Sequence, residues 1–411
     1  MSSQSPNLNL RPARDEDWPE IGELDARAFT LPAPLPADEL AEFRSSAPDA
    51  DTLTVRDEDS PGRPLVAFSL FHRLPLTVPG GAIPTVAGLS WVSVAATHRR
   101  RGLLRTMMAE HFRSWERDGL PLAALTASEG GIYERFGFGP ACYAHDVRID
   151  PSSAQLRDAA PADSRVRYGT LDQARVHVPE VHRRWAADRP GAVGRPDGWW
   201  ASLFADRDFR RSPQVSGVYF LLHADGYAAY RIDSRDSTAL IEGFFAATEQ
   251  AHTDLWRVLT GLDLVSGISA SLPLDDTLPL KLVNARAVRV TGRPDKLWLS
   301  VLDVAAALEL RRYDTDGAVL LEVSDFWAGR TGDYLLEVGD GRGRVTRDAA
   351  EPPGVPRIRL DISVLSSLYL GGGTARDFAA AGRLQADDDA AVELVTALLA
   401  GRRAPFAGTF F

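Results

Sequence analysis

The chain of 411 residues is long enough for two or three domains, and its 45% hydrophobic and 25% charged residues are ordinary for a globular protein. Its net charge of -10 argues against a non-specific nucleic-acid binder and suits either cationic small-molecule partners or plain solubility. One cysteine, Cys142, excludes an internal disulfide framework and fits a reducing, cytoplasmic setting. The N-terminal stretch carries no apolar export signal, and no apolar run is long enough to span a membrane. HExxH, CxxC, GxSxG and Walker-type spacings are all missing, so neither a metal site nor those hydrolase or nucleotide sites are expected.

In chain order, Leu65–Arg73 and Leu89–Ala95 read as strands, with a turn at Val78–Gly81 between them. The period then changes: Leu104, Met108, Phe112 and Trp115 recur at helical spacing until Asp118-Gly119. Leu120–Ser128 reads as a buried strand, followed by the glycine-punctuated EGGIYERFGFGP, which carries Tyr133. A polar stretch over 151–164 reads as a linker. The next block repeats the order of elements, with a hairpin over 219–232 around Asp225-Gly226 and a helix face marked by Leu255, Val258, Leu259 and Leu262. Its strand-to-helix junction, FAATEQAHTDLW, lacks any arginine-glycine loop. From Gly292-Arg293-Pro294 a third block runs from a strand into a helix. Turns follow at Thr315–Gly317 and Gly339–Gly341, and the LDISVLSSLYLGGG and AAVELVTALLAG segments read as helical.

The junction THRRRGLL carries the chemistry. A helix start offers unpaired N–H groups and partial positive charge, Gly102 permits close backbone approach, and Arg99, Arg100 and Arg101 add charged donors. Cations are unfavourable at a helix N-terminus unless an anion offsets them, so a diphosphate-bearing ligand is one reading and a solvated basic helix start the other. Tyr133, one strand further on, is either a core tyrosine or a phenol able to give a proton to a departing thiolate. Coenzyme A would present both a pyrophosphate and a sulfur.

VSVAATHRRRGLL followed by LTASEGGIYERFGFGPA resembles the enhanced intracellular survival (Eis) family of GCN5-related N-acetyltransferases. DWPEI, HADGYAAYRID, TGRPDKLWL and VLSSLYLGG extend the resemblance over the whole chain. Leu104 departs from the wider superfamily, where glycine or alanine is usual. The resemblance implies a mixed α+β and α/β architecture of three units: a catalytic GCN5-related acetyltransferase domain over 1–150, a degenerate acetyltransferase-like domain over 151–292, and a sterol-carrier-protein-like domain over 293–411. It implies acetyl-CoA as co-substrate, no metal, and a homohexamer. Carried onto this chain, the family's donor site is Val92, Ser93 and Val94 along the pantetheine arm, Arg100, Arg101, Gly102, Leu103, Leu104 and Arg105 at the phosphates, and Ser128 and Glu129 beside them. Tyr133 would be the general acid, and the α-carboxylate of the last residue, Phe411, the base. Trp91, Asp25 and Phe29 are acceptor-side candidates, and Cys142 a structural residue. Phe410 stands where a carboxylate would favour a polycation. The acceptor implied is an amine of a cationic small molecule such as an aminoglycoside, acetylated at one or several positions. A protein lysine, or a lipid carrier retaining relic acetyltransferase domains, are the alternatives.

Overall fold

A computed structural model describes residues 7–30, 34–47, 51–157, 165–208 and 211–411. The first unit runs β1 (Leu8–Pro12), α1 (Trp18–Ala28), α2 (Ala37–Ser46), β2 (Thr52–Asp57), β3 (Leu65–Pro75), β4 (Thr85–Val94), α3 (Leu103–Arg117), β5 (Leu122–Leu125) and β6 (Gly139–Ile149). The second repeats that order: β7 (Arg167–Gly169), α4 (Leu171–Ala186), α5 (Asp197–Ala205), β8 (Tyr219–His223), β9 (Gly226–Asp233), β10 (Thr238–Ala246), α6 (Glu249–Thr260) and β11 (Gly267–Pro273), then α7 (Leu278–Lys281) and β12 (Val288–Gly292). In each unit the strands on either side of the third helix pair in parallel, β4 with β5 around α3 and β10 with β11 around α6. The remainder comprises β13 (Asp295–Val301), α8 (Val304–Leu310), β14 (Gly317–Ser324), β15 (Gly332–Gly339), β16 (Arg342–Arg347), β17 (Arg357–Asp361), α9 (Ile362–Leu368), α10 (Ala375–Ala380), β18 (Leu384–Ala386) and α11 (Asp389–Leu399).

Two sheets result. The larger follows β1-β2-β3-β4-β5-β13-β6-β11-β10-β9-β8-β7, with β12 paired to β6, so the first two units share one continuous sheet. The smaller follows β16-β15-β14-β17-β18. The unit boundary expected before Arg293 therefore does not coincide with a sheet boundary. β13 lies between β5 and β6 in the larger sheet, pairing antiparallel with both, and the third unit's own sheet begins only at β14. The apolar run of Leu297, Trp298, Leu299 and Val301 is buried on both faces and suits a strand in either sheet, so it marks the strand and not its partner.

Local expectations met tertiary structure in instructive ways. The helix predicted from Leu103 runs to Arg117 and buries Leu103, Met107, Met108, His111, Phe112 and Trp115, while Leu104 is only partly buried. The hairpin closes at Ala224-Asp225, with His223 opposite Gly226. Leu360 and Asp361, expected in a helix, end β17 instead, because the Asp361 carboxylate accepts from Ser363 N and caps α9. The expected linker falls partly on 158–164, outside the described residues.

The third unit is packed against the first by a common core. Leu74, Val86, Leu122 and Leu299 of the large sheet belong to the same buried cluster as Leu321, Leu336, Leu365 and Leu398. The last residues then cross the molecule. Phe406 N donates to Pro190 O, Val193 N to Ala407 O, and Arg195 Nη2 to Gly408 O at 2.7 Å.

Candidate active site

The site begins with a break in the large sheet. β4 pairs in parallel with β5 only at Ala87, Gly88 and Leu89, which face Ala123, Ala124 and Leu125. Beyond that point the strands part. Opposite β3 a bulge sits at the same place: Ser90 faces Leu70 and Ser93 faces Phe68, so two residues of β4, Trp91 and Val92, oppose Ser69 alone. Trp91 adopts φ 50°, a value unusual for a bulky side chain. The bulge bends β4 away from β5 and opens the backbone edge of Val92–Val94 to a ligand.

The helix after β4 starts without a lid. Gly102 is the N-cap of α3 at φ 83°; it supplies no capping side chain, and no acidic residue occupies the first turn. A Cβ at Gly102 would meet nothing within 4 Å, so the approach to the helix start is open. The equivalent helix of the second unit, α6, is closed by its own residues: the Thr248 hydroxyl accepts from Ala251 N and Glu249 adds a negative charge. The start of the first helix is thus left uncapped where that of the second is capped by its own side chain.

A cleft of about 570 Å³ lies across this opening. Among its lining residues are Phe29, Val92, Ser93, Val94, Arg100, Gly102, Leu103, Leu104, Arg105, Ser128, Glu129 and Tyr133. Arg101, expected at the phosphates, is exposed and does not line it, whereas Arg99 does. The left-handed turn at Arg100, φ 63°, sets which arginines face the cleft. Tyr133 is buried, and burial together with the Glu129 carboxylate pushes its phenol up to about 12.

The other expected residues lie behind or beside the cleft. Asp25, on α1, is 5% exposed, and its Oδ1 has no hydrogen-bond partner; the Ser93 hydroxyl is buried beside the carboxyl. Burial pushes the Asp25 carboxyl up to about 7, against the pull of the Ser93 hydroxyl beside it. Trp91 is turned away from the cleft and stacks on Phe43, centroids 3.4 Å apart. From there a chain of rings runs through His72 and Trp199 to Phe411, with centroid separations of 6.5, 5.1 and 5.8 Å. Burial pulls His72 down to about 4, so its ring is neutral at pH 7. A Cβ on Gly88 would lie 3.1 Å from Phe411 Cε2, which places the terminal residue against β4 just before the bulge. These rings come from α2, β4, β3, α5 and the C-terminal tail. His72, Trp199 and Phe43 were not singled out in the sequence, and only the Trp199-Trp200 pair offered a signal. Phe410 is exposed.

Among the described residues no group of three or more His, Cys, Asp or Glu side chains is placed to hold a metal ion. No described helix is long and apolar enough to cross a membrane.

Comparison with known proteins agrees with this geometry. Acetyltransferase (GNAT) domain models match residues 9–141 and 191–307, and a sterol carrier protein domain model matches 304–408. The N-acetyltransferase Eis of Mycobacterium tuberculosis is 41% identical over 384 residues, covering 91% of this chain and 92% of that protein. The chain belongs to the Eis family of N-acetyltransferases. An uncharacterized N-acetyltransferase of Streptomyces avermitilis is 33% identical over the full length of both chains. The crystal structure of Eis1 from Mycobacterium abscessus superposes with a TM-score of 0.85 at 28% identity, covering 98% of this chain and all of the other. A GCN5-related N-acetyltransferase from Anabaena variabilis, at 19% identity and a TM-score of 0.83, shares the fold. The protein is thus an N-acetyltransferase built from two GNAT domains and a sterol-carrier-like domain, and acetyl-CoA is the donor used by GNAT acetyltransferases.

Proposed function

We propose that this Eis-family enzyme transfers the acetyl group of acetyl-CoA directly to an amine of a cationic small molecule such as an aminoglycoside, at one or more positions. The observation that carries the reading is the junction of two surfaces at the β4 bulge: the open, arginine-flanked start of α3 on one side, and the ring chain ending in Phe411 on the other. Aromatic faces attract ammonium groups, and the acidic chain adds a favourable field.

In this scheme Arg100, Arg105 and the N–H groups at Gly102, Leu103 and Leu104 hold the donor's phosphates, and Val92–Val94 align its pantetheine arm; Arg99 takes the place expected of Arg101. Ser128 and Glu129 flank it. On the acceptor side Phe29 and Trp91 wall the amine, and Asp25 and Ser93 supply polar partners for its ammonium. The Phe411 α-carboxylate takes the amine's proton through water. The neutral amine attacks the thioester carbonyl, a C–N bond forms, and the oxyanion meets N–H groups of the bulged strand. The C–S bond then breaks, the electron pair leaves on sulfur, to which Tyr133 donates a hydrogen bond, and the extra proton on the acylated nitrogen passes through water to the departing thiolate. The homohexamer implied by the resemblance and the cytoplasmic location suggested by the single cysteine belong to the same proposal; sedimentation of the purified protein tests the first.

The test is thiol release from acetyl-CoA by untagged protein across aminoglycosides, polyamines and lysine peptides. Release driven by aminoglycosides supports the reading, and release driven only by lysine peptides replaces it with protein acetylation. Acetyl-CoA binding without release for any amine would overturn the acceptor class.

A further inference from the structure

The donor cleft is lined by two residues from outside both acetyltransferase domains, Phe326 and Trp327. They sit in the turn between β14 and β15, in the third unit. Phe326 is 93% exposed, so its ring faces are free to meet a ligand in the cleft.

The turn that presents it is fixed in place. The Asp325 carboxylate accepts from the backbone N–H groups of Trp327, Ala328 and Arg330, at 2.9, 3.1 and 3.0 Å. Thr331 Oγ1 accepts from Asp325 N. Arg330 is buried and ties the turn to the first unit. Its Nε donates to Asp325 Oδ2 at 2.7 Å, its Nη1 to Ser300 Oγ and Val301 O on β13, and its Nη2 to Phe136 O. That last contact reaches the segment following Tyr133. Gly137 makes room for it, since a Cβ there would lie 2.4 Å from Arg330 Nη2. Trp327 packs edge-on against Phe136 and Phe112, with centroids 4.7 and 6.0 Å away, and the Arg105 guanidinium lies 5.5 Å over its ring.

The outcome is a rigid turn whose second aromatic is held against the enzyme and whose first projects bare into a cleft that Arg99, Arg100, Arg105 and Arg135 also line. An exposed ring on a locked backbone, in a cleft that guanidinium groups also line, is an arrangement that can take a purine on the ring face and its phosphates on the arginines. Resting on the acetyl-CoA reading above, we propose that Phe326 is a stacking platform for the adenine of the donor, with Trp327 and Arg105 as its backing, so that the sterol-carrier-like unit completes the donor site.

The test measures donor binding without any acceptor. Calorimetry or equilibrium dialysis compares coenzyme A with pantetheine, which lacks the nucleotide, on wild type, Phe326→Ala and Phe326→Tyr. Stacking of a base on an aromatic ring leads us to expect that Phe326→Ala weakens coenzyme A binding roughly five- to a hundredfold. Pantetheine binding should stay as in wild type, and Phe326→Tyr should restore coenzyme A affinity. In turnover assays the alanine variant should show a raised KM for acetyl-CoA with an unchanged kcat. Wild-type coenzyme A affinity in Phe326→Ala overturns the stacking role while leaving the acetyltransferase reading intact. Equal weakening of coenzyme A and pantetheine also overturns it, since the loss would then lie outside the nucleotide. A wild-type protein that binds no coenzyme A removes both.

Discussion

Replacing Asp25 by Asn should make the protein more stable at pH 8 and a poorer enzyme. The carboxyl is 5% exposed, its Oδ1 lacks a partner, and burial lifts its pKa from 3.8 to about 7. The native state therefore holds a proton that the unfolded chain has already released between pH 4 and 7. Over that window the unfolded state binds fewer protons, so stability falls as pH rises and stops falling above 7. A shift of three units corresponds to about 4 kcal/mol, taken as an upper bound for this one site. Asparagine is neutral throughout, so its advantage should be near zero at pH 4 and approach that bound at pH 8. Urea unfolding followed by tryptophan fluorescence at pH 4, 6 and 8 reads the difference. An Asn variant whose relative stability does not change with pH, or which is weaker than wild type at pH 8, would refute the reasoning. The companion readout is kcat/KM for the amine, expected to fall while coenzyme A affinity holds. Stability gained together with activity lost is the pattern of a carboxylate retained for its chemistry.

Tyr133→Phe should lower kcat about ten- to a hundredfold with coenzyme A affinity unchanged. A phenol at about 12 lies some three to four units above a thiol near 8.5, so outright transfer of its proton to the thiolate is uphill by roughly 5 kcal/mol. A hydrogen bond to the charged sulfur, worth about 1.5–3 kcal/mol, is the larger share of its help, and a wild-type kcat in single-turnover assays would remove Tyr133 from the scheme. A two-residue extension after Phe411 moves the α-carboxylate away from Gly88 and Trp199 and should abolish amine acetylation while sparing donor binding; full activity of the extended protein, measured by thiol release, would exclude the terminal base. Cys142 is fully buried and burial raises its thiol pKa, so a thiol-specific disulfide reagent should not label the native protein; prompt labelling would contradict the packing around β6.

What the sequence disclosed follows from how local each feature is. The start of α3 was legible because its parts are consecutive: a strand, three arginines, a glycine able to take φ 83°, then an apolar helical face. Which arginines face the ligand was not legible, because one left-handed residue, Arg100, redirects its neighbours and periodicity does not encode that. The Asp361–Ser363 cap was available as a signal, and the apolar run after it outweighed it. β13 shows a different limit: its apolar run marks a strand and says nothing about its partners, and those lie some 160 residues back along the chain in β5 and β6.

The same distinction bears on why the third unit is part of the enzyme. Its tail sets Phe411 against Gly88 and Trp199, on the side proposed for the acceptor, and its β14–β15 turn sets Phe326 and Trp327 in the lining of the cleft proposed for the donor. Its first strand is also built into the catalytic sheet, and its core is continuous with that sheet. Cutting the chain after β12 would remove a central strand, both aromatic contributions and the shared core together. The truncated protein should therefore be insoluble or unfolded rather than a slower acetyltransferase, and a folded, coenzyme A-binding fragment by circular dichroism and calorimetry would show that the third unit is dispensable to the fold.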